Sequence, residues 1–257
     1  MIVRKTPAEI ETMARAGAVV ASTLDLMRSQ ARVGVTLAEL DRLAEEHIRC
    51  HGGVPTFKGY RGFPGSICAS PNDMVVHGIP GSYALEDGDL LSVDVGVTLD
   101  GYVADSATTV AVGQAPEQAL ELIGVCEQSL LAAIAQCRAG NRLGDISHAV
   151  QEVVEAEGFG VVRALVGHGV GRDMHEDPQI PNYGPAGRGP KLAPGMVFAI
   201  EPMITAGDWQ VRSGDDGWAI YTTDGSLAAH CEHTVAVTEN GPRILTQPAP
   251  AAMAGTG

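Results

Sequence analysis

Apolar positions recur at helical spacing through the first part of the chain. Ile10, Met13, Ala14, Val20, Leu24 and Met27 follow that spacing, and Thr6-Pro7-Ala8-Glu9 in front of them reads as a capping box with proline at the first helical position. A helix over about 7–31 is expected. Gly17 falls on its apolar face, where it weakens the helix slightly but admits a close neighbour. Thr36-Leu37-Ala38-Glu39 is a second capping box, and Leu37, Leu40, Leu43 and Ile48 form the apolar stripe of a second helix. Residues 52–71 are rich in Gly, Pro and aromatics and read as a loop.

The period then changes. DMVVHGI (73–79) is short and β-branched, and residues 89–113 give two runs rich in Val and Thr around Leu99-Asp100-Gly101, the pattern of a hairpin. Helical spacing returns from Pro116 to about Cys137 and from about Asp145 to Glu157, where Gly158 closes the helix. Strand-like runs follow at 160–167, 196–202, 216–223 and 230–238. The order is helices, strands, helices, strands, an α+β chain in two halves of similar make-up. Strands that lie in adjacent pairs favour antiparallel sheet. No linker separates the halves, so residues 1–246 are expected to form a single domain. Residues 247–257, ending in PAPAAMAGTG, are expected to be a disordered tail.

Composition excludes some functions. Of 257 residues, 45% are apolar and 19% charged, as in soluble globular proteins. The net charge of −14 argues against a basic nucleic-acid-binding face. There is no run of 18 apolar residues, so no membrane span is expected, and the first residues lack the apolar stretch of a signal peptide. A cytoplasmic location follows by default. The five cysteines are scattered without CxxC spacing and are most simply free thiols in a reducing compartment.

Carboxylates inside strand-like runs carry the candidate chemistry. In Leu91-Ser92-Val93-Asp94-Val95-Gly96 the valines share one face and Asp94 takes the other. Asp105 sits in the second run, eleven residues on across the turn, so the two could face each other. For these two alone a solvated sheet face is the simpler account. Glu201 lies in VFAIEPM, an apolar run stopped by proline, and Glu232 in AAHCEHTVAV. A carboxylate in such surroundings must be paired, protonated or metal-bound. With His168, which stands among glycines, they form an oxygen-rich donor set suited to Mn, Fe(II), Co or Zn. Four carboxylates would balance two divalent ions, and such a pair can acidify a shared water near neutral pH. The chain has 31 acids, however, and spacing alone does not make the case.

Five stretches carry a more specific signal: NDMVVHGIP (72–80), DGDLLSVDVGVTLDGYVADSA (87–107), GHGVGRDMHEDP (167–178), PGMVFAIEPM (194–203) and DGWAIYTTDGSLAAHCEHTVAVT (216–238). In this order and at these intervals the chain resembles the type I methionine aminopeptidases of the pita-bread metallopeptidase family, over about residues 5–245. The resemblance implies two pseudo-symmetric halves, with a central, mainly antiparallel curved sheet and helices outside. It implies a dinuclear-metal aminopeptidase that removes the initiator methionine from nascent chains and favours small second residues. Asp94, Asp105, His168, Glu201 and Glu232 match the ligands of two divalent ions (Co, Mn, Fe(II) or Zn), with Asp105 and Glu232 bridging. His77 and His175 match histidines that touch substrate, and Glu201 is the expected proton shuttle. Tyr60, Phe63, Cys68 and Trp218 match positions that line the methionine pocket. Met174 stands there too, where many relatives carry phenylalanine. Implied partners are nascent polypeptide N-termini and the ribosome, with no membrane and no direct reading of nucleic acid, for a chain expected to be monomeric.

The remaining histidines are assigned elsewhere. Neither His233 nor, still less, His230 is expected as a ligand, although both flank Glu232. His47, His51 and His148 are expected at the surface. Prolidases and proline-specific aminopeptidases are the alternative of the same fold, but they usually carry a sizeable domain before the catalytic half, and only 93 residues precede Asp94 here. Only 32 residues separate His168 from Glu201, against the long insertion of type II methionine aminopeptidases. A non-enzymatic pita-bread protein that binds partners is the third reading; such relatives lose metal ligands.

Overall fold

A computed structural model of the chain describes residues 1–247. The expected tail falls almost wholly outside the described residues. Helix α1 (Pro7–Gln30) and helix α2 (Leu37–Cys50) start as the sequence requires: the Thr6 and Thr36 hydroxyls accept the Glu9 and Glu39 amides, and each glutamate reaches back to the cap amide. After α2 come β1 (Val54–Pro55), a single 3₁₀ turn at 60–62, β2 (Cys68–Pro71) and β3 (Met74–Val76). The hairpin of β4 (Leu90–Leu99) and β5 (Tyr102–Ala111) completes the first half. Strand β4 is the spine of a four-stranded antiparallel sheet, with β1 and β2 on one side and β5 on the other. Val93, Val95 and Val97 point to the face that α1 and α2 cover, where Leu40, Ile48 and Leu91 are fully buried. Each such side chain contributes about 1.5–3 kcal/mol of apolar burial.

The second half repeats the scheme. Helices α3 (Glu117–Ala135) and α4 (Leu143–Ala156) precede β6 (Gly160–Val161), β7 (Val166–Gly169), β8 (Glu176–Pro181), β9 (Val197–Ile200) and β10 (Met203–Thr205). They are followed by β11 (Val211–Ser213), β12 (Ile220–Thr222), β13 (Ala228–His230), β14 (His233–Thr238) and β15 (Gly241–Ile244). The largest sheet here has the order β15-β14-β9-β7-β8, and two three-stranded sheets, β13-β10-β6 and β11-β12-β3, adjoin it. Leu122, Cys126, Ile146 and Val150 of α3 and α4 pack on Phe198, Ile200 and Val235 of that sheet. Among the described residues, helix α3 alone is long and apolar enough to cross a membrane by composition. Here it packs against α4 and the sheet, with Leu122, Cys126 and Ala133 fully buried.

Three strands differ from the sequence expectation. Strand β8 carries two prolines and reads as polar loop, yet it pairs with β7 at the sheet edge, where a residue without an amide proton is tolerated. Strands β11 and β15 are short pieces that close against neighbours. The expected loop 52–71 also contributes β1 and β2, because β4 offers both pieces a partner. The runs 160–167, 196–202, 216–223 and 230–238 each break or shorten. The break within 196–202 and that within 230–238 face each other across one ladder: β14 pairs with β9 and β13 with β10, leaving Glu201-Pro202 opposite Cys231-Glu232.

The halves are sewn together along β5. Thr234 exchanges hydrogen bonds with the Asp105 backbone at 2.9 and 2.8 Å, the Glu232 amide donates to the Ala107 carbonyl at 2.9 Å, and Ser106 Oγ donates to the Glu232 carbonyl. The final described segment crosses α1 at Gly17, where a Cβ would stand 2.2 Å from the Leu245 carbonyl oxygen. Gly17→Ala is therefore expected to lose about 1–3 kcal/mol in urea unfolding. Alanine is the better helix former, so the sign separates this close packing from helix propensity; a stabilised variant would contradict it.

Candidate metal centre

The site forms where the two halves meet. Asp94 on β4 stands opposite Ala107, and Asp105 on β5 stands opposite Gly96, so both aspartates lie diagonally on the face away from the valine core. Glu201 and Glu232 come from the facing breaks in the β9–β10 and β13–β14 ladders. A regular pleat would alternate their side chains to fixed faces; the break frees both to turn toward the aspartates. His168 enters from β7, next to β9. Donor atoms of Asp105, His168 and Glu232 all lie within 4.8 Å of one another. His168 Nε2 is 3.5 Å from Glu201 Oε1 and 3.9 Å from Asp105 Oδ2. Asp94 and Asp105 abut through their carboxyls. All five expected ligands thus converge.

The electrostatics of this cluster are unfavourable as they stand. Asp105 and Glu232 are buried, and Asp94 Oδ1, Asp105 Oδ1 and Glu232 Oε1 have no hydrogen-bond partner. Burial pushes the Asp94 carboxyl from its ordinary 3.8 up to about 7. Burial, and then the neighbouring carboxyls, push Asp105, Glu201 and Glu232 well above the usual carboxylate range. His168 Nδ1 lies 2.9 Å from the Gly169 carbonyl oxygen, which only accepts, so the ring proton sits on Nδ1 and Nε2 presents a lone pair to the cluster. Burial holds this imidazole neutral, with its pKa lowered to about 4. Orphaned carboxyl oxygens around a correctly tautomerised imidazole fit a divalent cation: such an ion would satisfy the oxygens and offset the repulsion.

One neighbour lies closer to the cluster than the sequence suggests. His230 is buried, its Nε2 has no partner, and that nitrogen lies 3.8 Å from Glu201 Oε2. Glu201 therefore stands between two imidazoles. His230 closes β13 just before the break, so no strand period running through to Glu232 could have placed it. His233, ranked higher, turns away: its Nδ1 meets Thr246 Oγ1 at 2.8 Å and Ser106 Oγ at 3.3 Å. His51 and His148 are exposed, as expected, while His47 is half-buried against Ser22.

A cavity of about 290 Å³ leads to the cluster. Tyr60, Phe63, Cys68, Met174 and Trp218, all expected there, line it together with Phe57, Arg61 and Met203. Phe63 and Trp218 meet edge to face at 5.1 Å. Phe57 lies in the segment read as loop; its ring occupies the space a Gly96 side chain would need, 2.7 Å from an added Cβ. His77 and His175 stand on the wall. His77 adopts a left-handed conformation (φ 61°), held by Gly78, which is pressed on the Ala69 carbonyl oxygen and whose amide donates to Ser70 Oγ at 3.0 Å. His175 Nδ1 is 2.8 Å from the Tyr60 hydroxyl, and its ring lies 4.3 Å from that of His168. Burial holds both histidines below the ordinary value, and a neighbour adds to it in each case: His175 at His77, and Arg61 at His175.

A sequence model of metallopeptidase family M24 matches residues 11–239. The chain belongs to metallopeptidase family M24. The M24 chain is 52% identical over 246 residues to the methionine aminopeptidase of Clostridium perfringens, an alignment spanning 96% of this chain and 99% of that one. It is 51% identical to methionine aminopeptidase 1 of Bacillus subtilis, over 96% of this chain and all of that one. The crystal structure of methionine aminopeptidase from Thermotoga maritima superposes with a TM-score of 0.95 at 48% identity, covering 96% of this chain and all of that one. A prolidase from Pyrococcus furiosus shares the pita-bread fold, with a TM-score of 0.75 at 21% identity, but this chain covers only 66% of it. As an M24 metallopeptidase the chain binds divalent metal, and the buried Asp/His/Glu cluster offers the donors.

The cluster sets a testable linkage. Below about pH 6.5 two effects oppose each other: buried histidines kept neutral favour folding as pH rises, and carboxyls kept protonated disfavour it. Above about pH 7 unfolded histidines are neutral too, and only the carboxyls with raised pKa still hold protons that the unfolded chain has lost. The unfolded state then binds fewer protons, so the stability of chelator-stripped protein is expected to fall between about pH 7 and 8. Metal-loaded protein is expected to melt higher, with little slope over that interval. Scanning calorimetry of both forms checks this, and a stripped protein that gains stability across the interval would contradict it.

Proposed function

We infer that this chain is a methionine aminopeptidase, which hydrolyses the peptide bond after the N-terminal methionine of nascent chains and peptides. The observation that carries the reading is the juxtaposition of a carboxylate cage with an apolar, aromatic cavity of about 290 Å³ that also contains sulfur-bearing Cys68 and Met174. Methionine is a polarizable thioether that packs well against aromatic edges, and Phe57, Phe63 and Trp218 offer them. Identity near 50% over the whole chain separates this reading from prolidase, with which only the fold is shared.

Asp94, Asp105, His168, Glu201 and Glu232 would hold two divalent ions, Co, Mn, Fe(II) or Zn, whose charges balance the four carboxylates. When bound, such ions supply Lewis acidity and lower the pKa of water. The chain's own residues do the rest. Glu201, flanked by His168 and His230, takes a proton from the attacking water at a carboxyl oxygen and passes it to the leaving amine. His175 donates a hydrogen bond from Nε2 to the developing oxyanion; its Nδ1 is already engaged by Tyr60. His77 hydrogen-bonds the scissile amide from the opposite wall. The aromatic pocket holds the methionine side chain and excludes water. We further read residues 1–246 as one domain and the chain as a monomer acting near the ribosome. The support is that both halves of one chain supply ligands and no group from a second copy is needed.

Met-Ala-Ser is expected to lose its methionine rapidly in the presence of divalent metal, and Met-Leu-Ser slowly. Release of proline-linked residues with Met-Ala-Ser untouched would instead favour a prolidase. Glu201→Gln is expected to lower kcat by ~10²–10⁴-fold. Near-normal turnover in that variant would remove Glu201 from the proton path.

A further inference from the structure

His175 and Met174 belong to the short loop 170–175 between β7 and β8, whose conformation is set from outside the cavity. Glu176, the first residue of β8, turns its side chain back beneath the loop. Its Oε1 accepts the Arg172 amide at 2.9 Å and the Asp173 amide at 3.4 Å, and its Oε2 takes Lys5 Nζ at 2.6 Å. This ion pair is nearly sealed from solvent, with side-chain exposures of 4% for Lys5 and 12% for Glu176. The Lys5 amide donates to the Gly195 carbonyl at 2.7 Å, which anchors the N-terminal arm to the segment before β9. Gly171 leaves room for the pair: a Cβ there would lie 2.4 Å from Glu176 Oε1 and 2.5 Å from Lys5 Cε. The loop is gripped from its other side as well. The Gly171 carbonyl accepts the Val103 amide at 2.8 Å, and the Arg172 guanidinium donates to the Tyr102 hydroxyl at 2.6 Å while stacking over that ring.

A buried ion pair is a poor source of stability, because the lost hydration offsets most of the attraction. It does fix position well. A carboxylate that receives two loop amides on one oxygen and an ammonium on the other is held in orientation and in charge. We propose that Lys5 is a positioning residue for the hydrolytic reaction: through Glu176 it sets the pose of loop 170–175 and so the reach of the His175 imidazole. Lys5 is not among the residues lining the cavity. The proposal rests on the reading of His175 as the oxyanion donor.

The test uses full-length, metal-loaded enzyme with Met-Ala-Ser, well below the melting temperature of every variant. Lys5→Met is expected to lower kcat about 10-fold, with KM within about twofold, because a small misplacement of a catalytic group costs rate more than binding. Lys5→Arg is expected to recover most of the rate. In a His175→Ala background, Lys5→Met is expected to add nothing further, since its effect passes through that imidazole. A merely structural role for Lys5 would reduce both backgrounds equally, and that result, or wild-type kcat in Lys5→Met, would overturn the proposal. If Lys5→Met does not fold, Lys5→Gln reads the same non-additivity. The two readings fail differently: unchanged turnover in His175→Ala removes the role of His175 itself, whereas a slow His175→Ala enzyme beside a fast Lys5→Met enzyme removes only the role of Lys5.

Discussion

Four carboxyl groups buried within reach of one another are the constraint on which the rest of this structure turns. Such groups repel when ionised, and their lone oxygens lack partners when they are not. The protein resolves neither problem with its own side chains. Lys5 and Arg172 are engaged by Glu176 and the Glu9–Tyr102 pair, Arg61 of the cavity wall lies over the Tyr60 ring, and the imidazoles nearest the cluster are held neutral. The positive charge has to come from divalent metal, so the fold is built as a cage that is complete only when loaded.

The cage depends on the joint between halves more than on any single element. Asp94 and Asp105 ride on an unbroken hairpin, which fixes them relative to each other. Glu201 and Glu232 sit where a second ladder is interrupted, with the Cys231 amide donating to the Pro202 carbonyl across the gap at 3.2 Å. Proline removes one ladder donor at that point and so helps to enforce the break. The Thr234–Asp105 and Glu232–Ala107 hydrogen bonds then bring the interrupted ladder onto the hairpin. One apolar core lies under each helix pair, and a third cluster, with Met13 and Val103 against Val170 and Val197, bridges the halves beside the polar site.

Local rules made much of this legible in the sequence. The capping boxes at Thr6 and Thr36 gave both helix starts, because capping is decided by residues three apart. Gly17 signalled a close neighbour, but nothing local could say that the neighbour is the Leu245 carbonyl. The period of two put Asp94 opposite the valines, the five candidate ligands followed from resemblance, and the structure brings all five side chains together. What the sequence hid depends on partners distant in the chain. Strand β8 looks like loop because its prolines are tolerable only at an edge, and edges are a property of the assembled sheet. His230 was ranked below His233 because the break at Cys231-Glu232 was invisible, and the break decides which neighbour of Glu232 faces the cluster.

The placement of His175 shows how precision is obtained without a rigid element. In its proposed role the residue would need to approach a substrate carbonyl, which favours a loop, and to keep a fixed aim, which loops resist. Here the loop is pinned at backbone points by β5, by β9 and by the Glu176 carboxylate, which Lys5 of the N-terminal arm holds in turn, and Tyr60 meets the imidazole itself. Met174, next to it, is anchored by burial in the pocket wall. His175 and the pocket wall at Met174 therefore belong to one short segment. In the proposed reaction, a substrate whose first side chain fills the pocket would be aligned with the donor by that same segment. That coupling would tie recognition of the first residue to the rate of cleavage after it.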